Sequence, residues 1–197
     1  MTTKQITKRS IERPLEQAEL PGAMLTTTAA RIMAVLRIST GFVFLWAFLD
    51  KTFGFGFATP AERAWVNGGS PTKGFLSSVE VGPLQGFFHS IAGTWWANTL
   101  FMVGLAAIGV ALIAGVGLRI AAGSGALMMV FMWLAEFPLD RFTASGEPAG
   151  STNPLIDYHI VYAIVLVALA AAYAGHTWGL GRLWAKLPFV QKNRWLI

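Results

Sequence analysis

Four stretches of roughly 20 residues run with almost no fixed charge, the length a helix needs to cross a hydrocarbon layer. They lie at about 29–49, 96–118, 120–137 and 155–175, with polar or turn-forming segments between them. Only "GVGLR" separates the second from the third, which makes them a tight antiparallel pair. Pro138 closes the third, because proline cannot continue a helix. The pattern predicts an all-α polytopic membrane protein, a four-transmembrane-helix bundle within a membrane domain at 29–176. A long structured outer loop, 50–95, joins helices 1 and 2; a polar tail, 1–28, precedes the bundle and a basic amphipathic tail, 177–197, follows it.

The outer loop is too long for a mere turn and is expected to have its own structure. Phe53, Phe55 and Phe57 alternate with other residues, two of them glycines, as in a segment lying among lipid headgroups. After Pro60, residues 61–66 are expected to form one or two helical turns. Residues 83–96 read as an interfacial or re-entrant helix, with Phe87, Ile91 and Trp95 at four-residue spacing and His89 on another face. Trp95 and Trp96 suit the aromatic belt at a membrane–water boundary. The segment "NGGSPTKG" supports two readings: ordinary turn chemistry, or a nest of backbone amides beside Ser70, Thr72 and Lys73 that holds an anion. Within the spans, Ala107, Ala111 and Gly115 recur every fourth residue, and "ALAAAYAG" follows later. Both are expected to be close-packing surfaces.

Composition agrees with a lipid solvent. The chain is 54% hydrophobic and 13% charged, against about 25% charged in soluble domains. This excludes a soluble or nucleic-acid-binding protein despite the net charge of +5. The absence of cysteine removes disulfides, CxxC redox chemistry, thiolate metal sites and covalent haem attachment. The polar N-terminus lacks an apolar core and cleavage site, so it reads as a cytoplasmic tail and not a secretory signal.

Sorting the basic residues gives direction. With both termini on one side, that side holds Lys4, Lys8, Arg9, Arg13, Arg31, Arg37, Arg119, Arg182, Lys186, Lys192 and Arg194, whereas the other holds Lys51, Arg63, Lys73 and Arg141. The positive-inside rule then puts both termini in the cytoplasm and Asp50 and Lys51 at the outer face.

Chemistry is sought where polar residues meet the membrane. Arg37, Gly41, Phe44, Phe48 and Lys51 share one helix face, with the two cations about 21 Å apart along the axis. Asp50 is rotated about 100° from that face, towards a neighbouring helix. Arg37 lies inside the first span and has two readings: it snorkels to the headgroups, or it has a buried partner. At the outer end Glu136, Arg141, Asp157, His159 and Tyr162 fall at the level of Asp50 and Lys51, with Trp65 and His89 in the loop above. Each alone is explained by capping or surface charge; together they make a candidate pocket. His159, Asp157 and Tyr162 are its proton-handling, catalytic candidates. Lys51, Asp50, Arg37, Trp65, Ser70, Thr72, Lys73, His89, Glu136 and Arg141 are its binding candidates. The three histidines, 89, 159 and 176, show no paired spacing, so no metal, haem or flavin is expected.

The segment "LRISTGFVFLWAFLDKTFG", with Arg37, Gly41, Phe44 and Lys51 at the matching positions, resembles the first span of the DoxX/DoxD family of small prokaryotic membrane proteins. "WVNGGSPTKGFL", "GVALIAGVGLRIAAGSGALMM" and "NPLIDYHIVYAIVLVALA" extend the resemblance over about residues 30–180. It implies a four-helix bundle linked to membrane redox: a subunit of the thiosulfate:quinone oxidoreductase type, with quinone as substrate or bound carrier. The alternative it implies is a non-catalytic accessory subunit that docks a respiratory or oxidative-stress partner. The chain carries no electron carrier of its own, so a second redox subunit or a homo-oligomer is expected beside the lipid bilayer. The basic tail is then a docking surface or an interfacial anchor on anionic lipid. A transporter is a weaker reading, since four spans hold no broken helix pair at mid-depth.

Overall fold

The computed structural model describes residues 26–151 and 153–197; most of the predicted N-terminal tail lies outside them. Among the described residues the chain is helical, with no strand beyond one isolated bridge between Phe142 and Pro148. Three helices are long and apolar enough to cross a membrane: α1 (Thr27–Phe53), α4 (Trp95–Ala114) and α5 (Leu118–Glu136). Two short helices, α2 (Lys73–Ser77) and α3 (Gln85–Ile91), lie in the connection between α1 and α4. A shorter apolar helix, α6 (Tyr158–Ala171), follows α5. Two more, α7 (Gly181–Trp184) and α8 (Pro188–Lys192), fold the tail.

The helix ends have local causes. Thr26 caps α1 by accepting from the Ala29 amide, and Gly54 ends it in the left-handed conformation. That end falls four residues beyond the predicted span, so Asp50 and Lys51 sit in the last turn instead of past it. Gly115 and Gly117, both with positive φ, make the predicted tight turn between α4 and α5. Asp157 caps α6 through the Ile160 amide, and Tyr173, at φ 49°, stops its continuation. These two devices trim the expected fourth span to 14 residues, about 21 Å of helix against a hydrocarbon core of about 30 Å.

The antiparallel pairs α1/α4 and α5/α6 pack side by side, and α4 joins them through α5. Their shared core holds Phe44, Met102, Leu105, Ile108, Leu112, Met129, Leu166 and Leu169. The predicted face of α1 does point inward, for Arg37, Gly41 and Phe44 are buried. Of the predicted close-packing stripe, Gly115 is tightly packed, against Gly175 and Arg37, whereas α1 meets α4 at Gly109. A Cβ on Gly109 would stand 2.7 Å from the Leu45 backbone nitrogen, and one on Gly41 would stand 2.9 Å from Leu112 and Ile113 side-chain atoms. Ala107 is exposed. Outward positions remain apolar, with Ile32, Phe42, Leu100, Val103, Leu127, Ile164 and Val167 all exposed. A helix apolar on every side is suited to lipid contact, not water.

Candidate functional site

At the loop end of α1, a buried carboxylate and a half-buried ammonium stand next to each other with different surroundings. Asp50 is 2% exposed. Its Oδ1 accepts from the Phe57 amide at 3.3 Å and its Oδ2 from the Ala58 amide at 3.0 Å. The carboxylate therefore folds the returning 54–59 segment onto the helix end, and does not face a neighbouring helix as the periodicity suggested. Phe55 and Phe57 of that segment pack on Trp46 of α1.

Lys51, one residue on, points elsewhere. It lines a cavity of about 460 Å³ between α1, α2, α3, α4 and α5. The walls are Phe75, Leu76, Phe88, Ile91, Trp96, Phe101, Met128 and Met132 among other apolar residues, and Lys51 is its one ionisable side chain. Among the described residues Lys51 enters no ion pair.

A second cluster joins the end of α5 to the start of α6. Asp157 Oδ2 lies 2.8 Å from His159 Nδ1, and Glu136 Oε2 lies 3.8 Å from the same nitrogen. The Tyr158 hydroxyl donates to Glu136 Oε1 at 3.0 Å. With acceptors on that side, Nδ1 carries the imidazole proton. Nε2 has no hydrogen-bond partner among the described residues, on a side chain only 1% exposed. Glu136, Asp157 and Tyr158 line a separate, polar cavity of about 440 Å³, also bounded by residues 78–81, Thr143, residues 149–151 and Asn153. The carboxylates, the imidazole and the phenol thus form one connected polar set. Glu136, Asp157 and His159 also present ligand atoms within 4.8 Å of one another, a spacing open to a divalent cation. The histidine count missed this because the three donors come from two helices.

The predicted single outer pocket is thus two cavities, and Phe75 lines both. Trp65 and Tyr162 pack against the main core and line neither. His89 is exposed and its Nε2 is 2.8 Å from the Val79 carbonyl, a bond that ties α3 to the loop. Arg141 lies exposed against the ring of Phe142 in the 141–149 turn.

The "NGGSPTKG" segment is a docking turn. Asn98, in the first turn of α4, accepts from the Thr72 amide at 3.0 Å, the Thr72 hydroxyl at 2.7 Å and the Ser70 hydroxyl at 3.2 Å. The amides of Gly68, Gly69 and Lys73 donate to carbonyls of the same segment. Those amides are therefore not free for an anion, and the Lys73 side chain is exposed. Asn98 went unnoticed because one amide in "WWANTL" looks incidental; its place in the first turn of an apolar helix was the available signal.

Arg37 belongs to the opposite end. It is fully buried, and its guanidinium donates to five carbonyls: Ala174 (3.2 Å), Leu112, Ile113 (2.7 Å), Thr177 (3.3 Å) and Trp178 (2.9 Å). Two of these residues end α4 and three form the turn after α6, so the guanidinium ties those two segments to α1. It neither snorkels nor reaches either cavity. Comparison with family models, curated proteins and solved structures finds no match to this chain.

Proposed function

We propose that the chain is a four-span inner-membrane protein, its termini cytoplasmic, that binds a quinone in the Lys51 cavity as a DoxX/DoxD-like component of a redox system. The observation that carries this reading is a single ammonium in an otherwise apolar, aromatic-lined cavity of about 460 Å³. Such a cavity suits a ligand with a flat apolar ring and one or two hydrogen-bond acceptors. Lys51 donates to a quinone carbonyl and stabilises the negative charge that reduction puts there. Phe75, Phe88 and Trp96 flank the ring. In the thiosulfate version, two thiosulfate ions join through a new S–S bond and release two electrons. The quinone takes both electrons and two protons and leaves as quinol. The Glu136–Asp157–His159 cluster beyond Phe75 is the proton reservoir in this scheme.

Trp96 in the wall supplies the assay, because a bound quinone quenches indole emission. Titrating the purified chain with a short-tailed ubiquinone should give saturable quenching, absent in Trp96→Phe and weakened about tenfold or more in Lys51→Met. Equal affinity in Lys51→Met sinks the assignment.

A second reading draws on the separation of the two cavities. A chain that only docks a redox partner has no need to bring the cation and the proton-handling groups together, and here Phe75 divides them. Recovery of one stoichiometric respiratory subunit with the purified chain, together with no quinone binding, favours this accessory role.

A further inference from the structure

The tail beyond α6 is folded against the end of the bundle. Val190 is fully buried, Leu196 nearly so, and the Trp184 indole donates to the Leu196 carbonyl at 3.0 Å. This fold holds three cations, Arg182, Lys186 and Arg194, around one cleft of about 680 Å³ that His176, Ala185, Gln191 and Ile197 complete. No Asp or Glu side chain lines it. Among the described residues, none of the three cations enters an ion pair or a side-chain hydrogen bond. The same short elements expose Trp178 (61%), Leu183 (61%), Phe189 (50%) and Trp195 (62%). Unpaired cations call for an anion, and exposed indoles and leucines call for an apolar neighbour. A phospholipid supplies both at one depth.

We infer that this cleft binds the phosphate of an anionic phospholipid. The cations hold the headgroup while the exposed Trp178, Leu183, Phe189 and Trp195 rest on the acyl chains beside it. Arg37 adds to the site from beneath: its bonds to the Ala174, Thr177 and Trp178 carbonyls fix the turn that carries His176 and leads into Arg182. The cleft is therefore a fixed part of the bundle end, in contrast to a flexible basic tail that gathers lipid loosely. It stands at the opposite end of α1 from Lys51, so the inference does not depend on the quinone reading.

The test uses the full chain, stripped of lipid by detergent exchange and then titrated with phosphatidylglycerol, phosphatidylcholine or inorganic phosphate under native mass spectrometry. Phosphatidylglycerol should bind in preference to phosphatidylcholine, and Arg182→Gln/Lys186→Gln/Arg194→Gln should weaken it roughly a hundredfold. A control with the same number of charges removed on the same side, Arg31→Gln/Arg119→Gln/Lys192→Gln, should leave most of the affinity. Arg182→Lys/Arg194→Lys should also retain it, which separates charge from tail folding. Equal loss in the two triple variants, or loss in the lysine variant, overturns the site. Inorganic phosphate that binds as tightly as phosphatidylglycerol and displaces it overturns the lipid assignment in favour of a free anion.

Discussion

The two ends of α1 treat buried charge in opposite ways. At the tail end, Arg37 gives its donors to backbone carbonyls, and glycines press the segments together around it: a Cβ on Gly115 would stand 3.1 Å from Arg37 Nη1, and one on Gly179 3.0 Å from Nη2. At the loop end, Lys51 faces a cavity with no counter-charge, and His159 Nε2 has no partner among the described residues. A buried polar group that is fully hydrogen-bonded stabilises the fold or is neutral to it, whereas an unsatisfied one costs free energy. The difference teaches that proximity to the membrane does not mark a charge as functional. Its state of satisfaction is the better guide: Arg37 is fully bonded within the fold, whereas Lys51 has no ion pair among the described residues, as the proposed ligand role requires.

The comparison breaks most easily at the satisfied end. Arg37→Leu leaves up to five carbonyls without their donor, and should cost about 3–5 kcal/mol or prevent accumulation of the protein. Thermal unfolding of detergent-solubilised protein measures this. Arg37→Lys should recover only part of the loss, because one ammonium has three donors and no planar fork. An unchanged midpoint in Arg37→Leu means that the carbonyls have other partners. Gly175→Ala should come next, since its added carbon would stand 2.2 Å from the Gly115 carbonyl oxygen. A cost of about 1–3 kcal/mol is expected. Gly123→Ala, where nothing lies within 4 Å of the new carbon, is the matched control and should be neutral or slightly stabilising.

Adjacent residues sharpen the contrast further. Asp50→Ala leaves the Phe57 and Ala58 amides without an acceptor and should lower stability by about 1–3 kcal/mol. Lys51→Met should shift the midpoint by less than about 1 kcal/mol, in either direction, because no protein partner is lost and an isolated charge leaves an apolar wall. Thermal midpoints of both variants, measured beside the quinone titration, separate the roles: Asp50 should affect folding first, and Lys51 binding alone. The reverse result would erase the distinction between these two neighbours.

Periodicity made much of this legible. It placed Arg37, Gly41 and Phe44 on one inward face of α1, and the glycine-rich "GVGLR" marked the turn into α5. What it could not supply was the partner of each polar group. Backbone carbonyls have no sequence signature, so the five acceptors of Arg37 were invisible, as were the two amides that hold Asp50. Equal level along the bundle axis suggests convergence of Lys51 with Glu136 and Asp157, yet they line separate cavities that share Phe75, a residue of a loop helix. Ala107 and Gly109 are equally small, and only the rotation set by Leu45 decides which one meets α1. Asn98 shows the same limit, because the two hydroxyls that it gathers lie 26 and 28 residues earlier.

The smallest expected effect tests whether the tail end stays closed when it gains charge. Burial holds the His176 imidazole below its ordinary value, and Arg182 pushes it the same way. The folded state therefore takes up a proton less readily than the unfolded chain, whose histidine titrates near pH ~6.5. The contribution of His176 is fully present above that pH and is lost as pH falls from ~6.5 through the lower folded value. The melting temperature of delipidated protein should decline over this window, and His176→Gln should flatten the decline. A bound phosphate adds negative charge beside the imidazole and makes its protonation easier. Anionic lipid should thus weaken the same slope in the wild-type chain and leave His176→Gln unchanged, while a slope indifferent to lipid would separate His176 from the cleft.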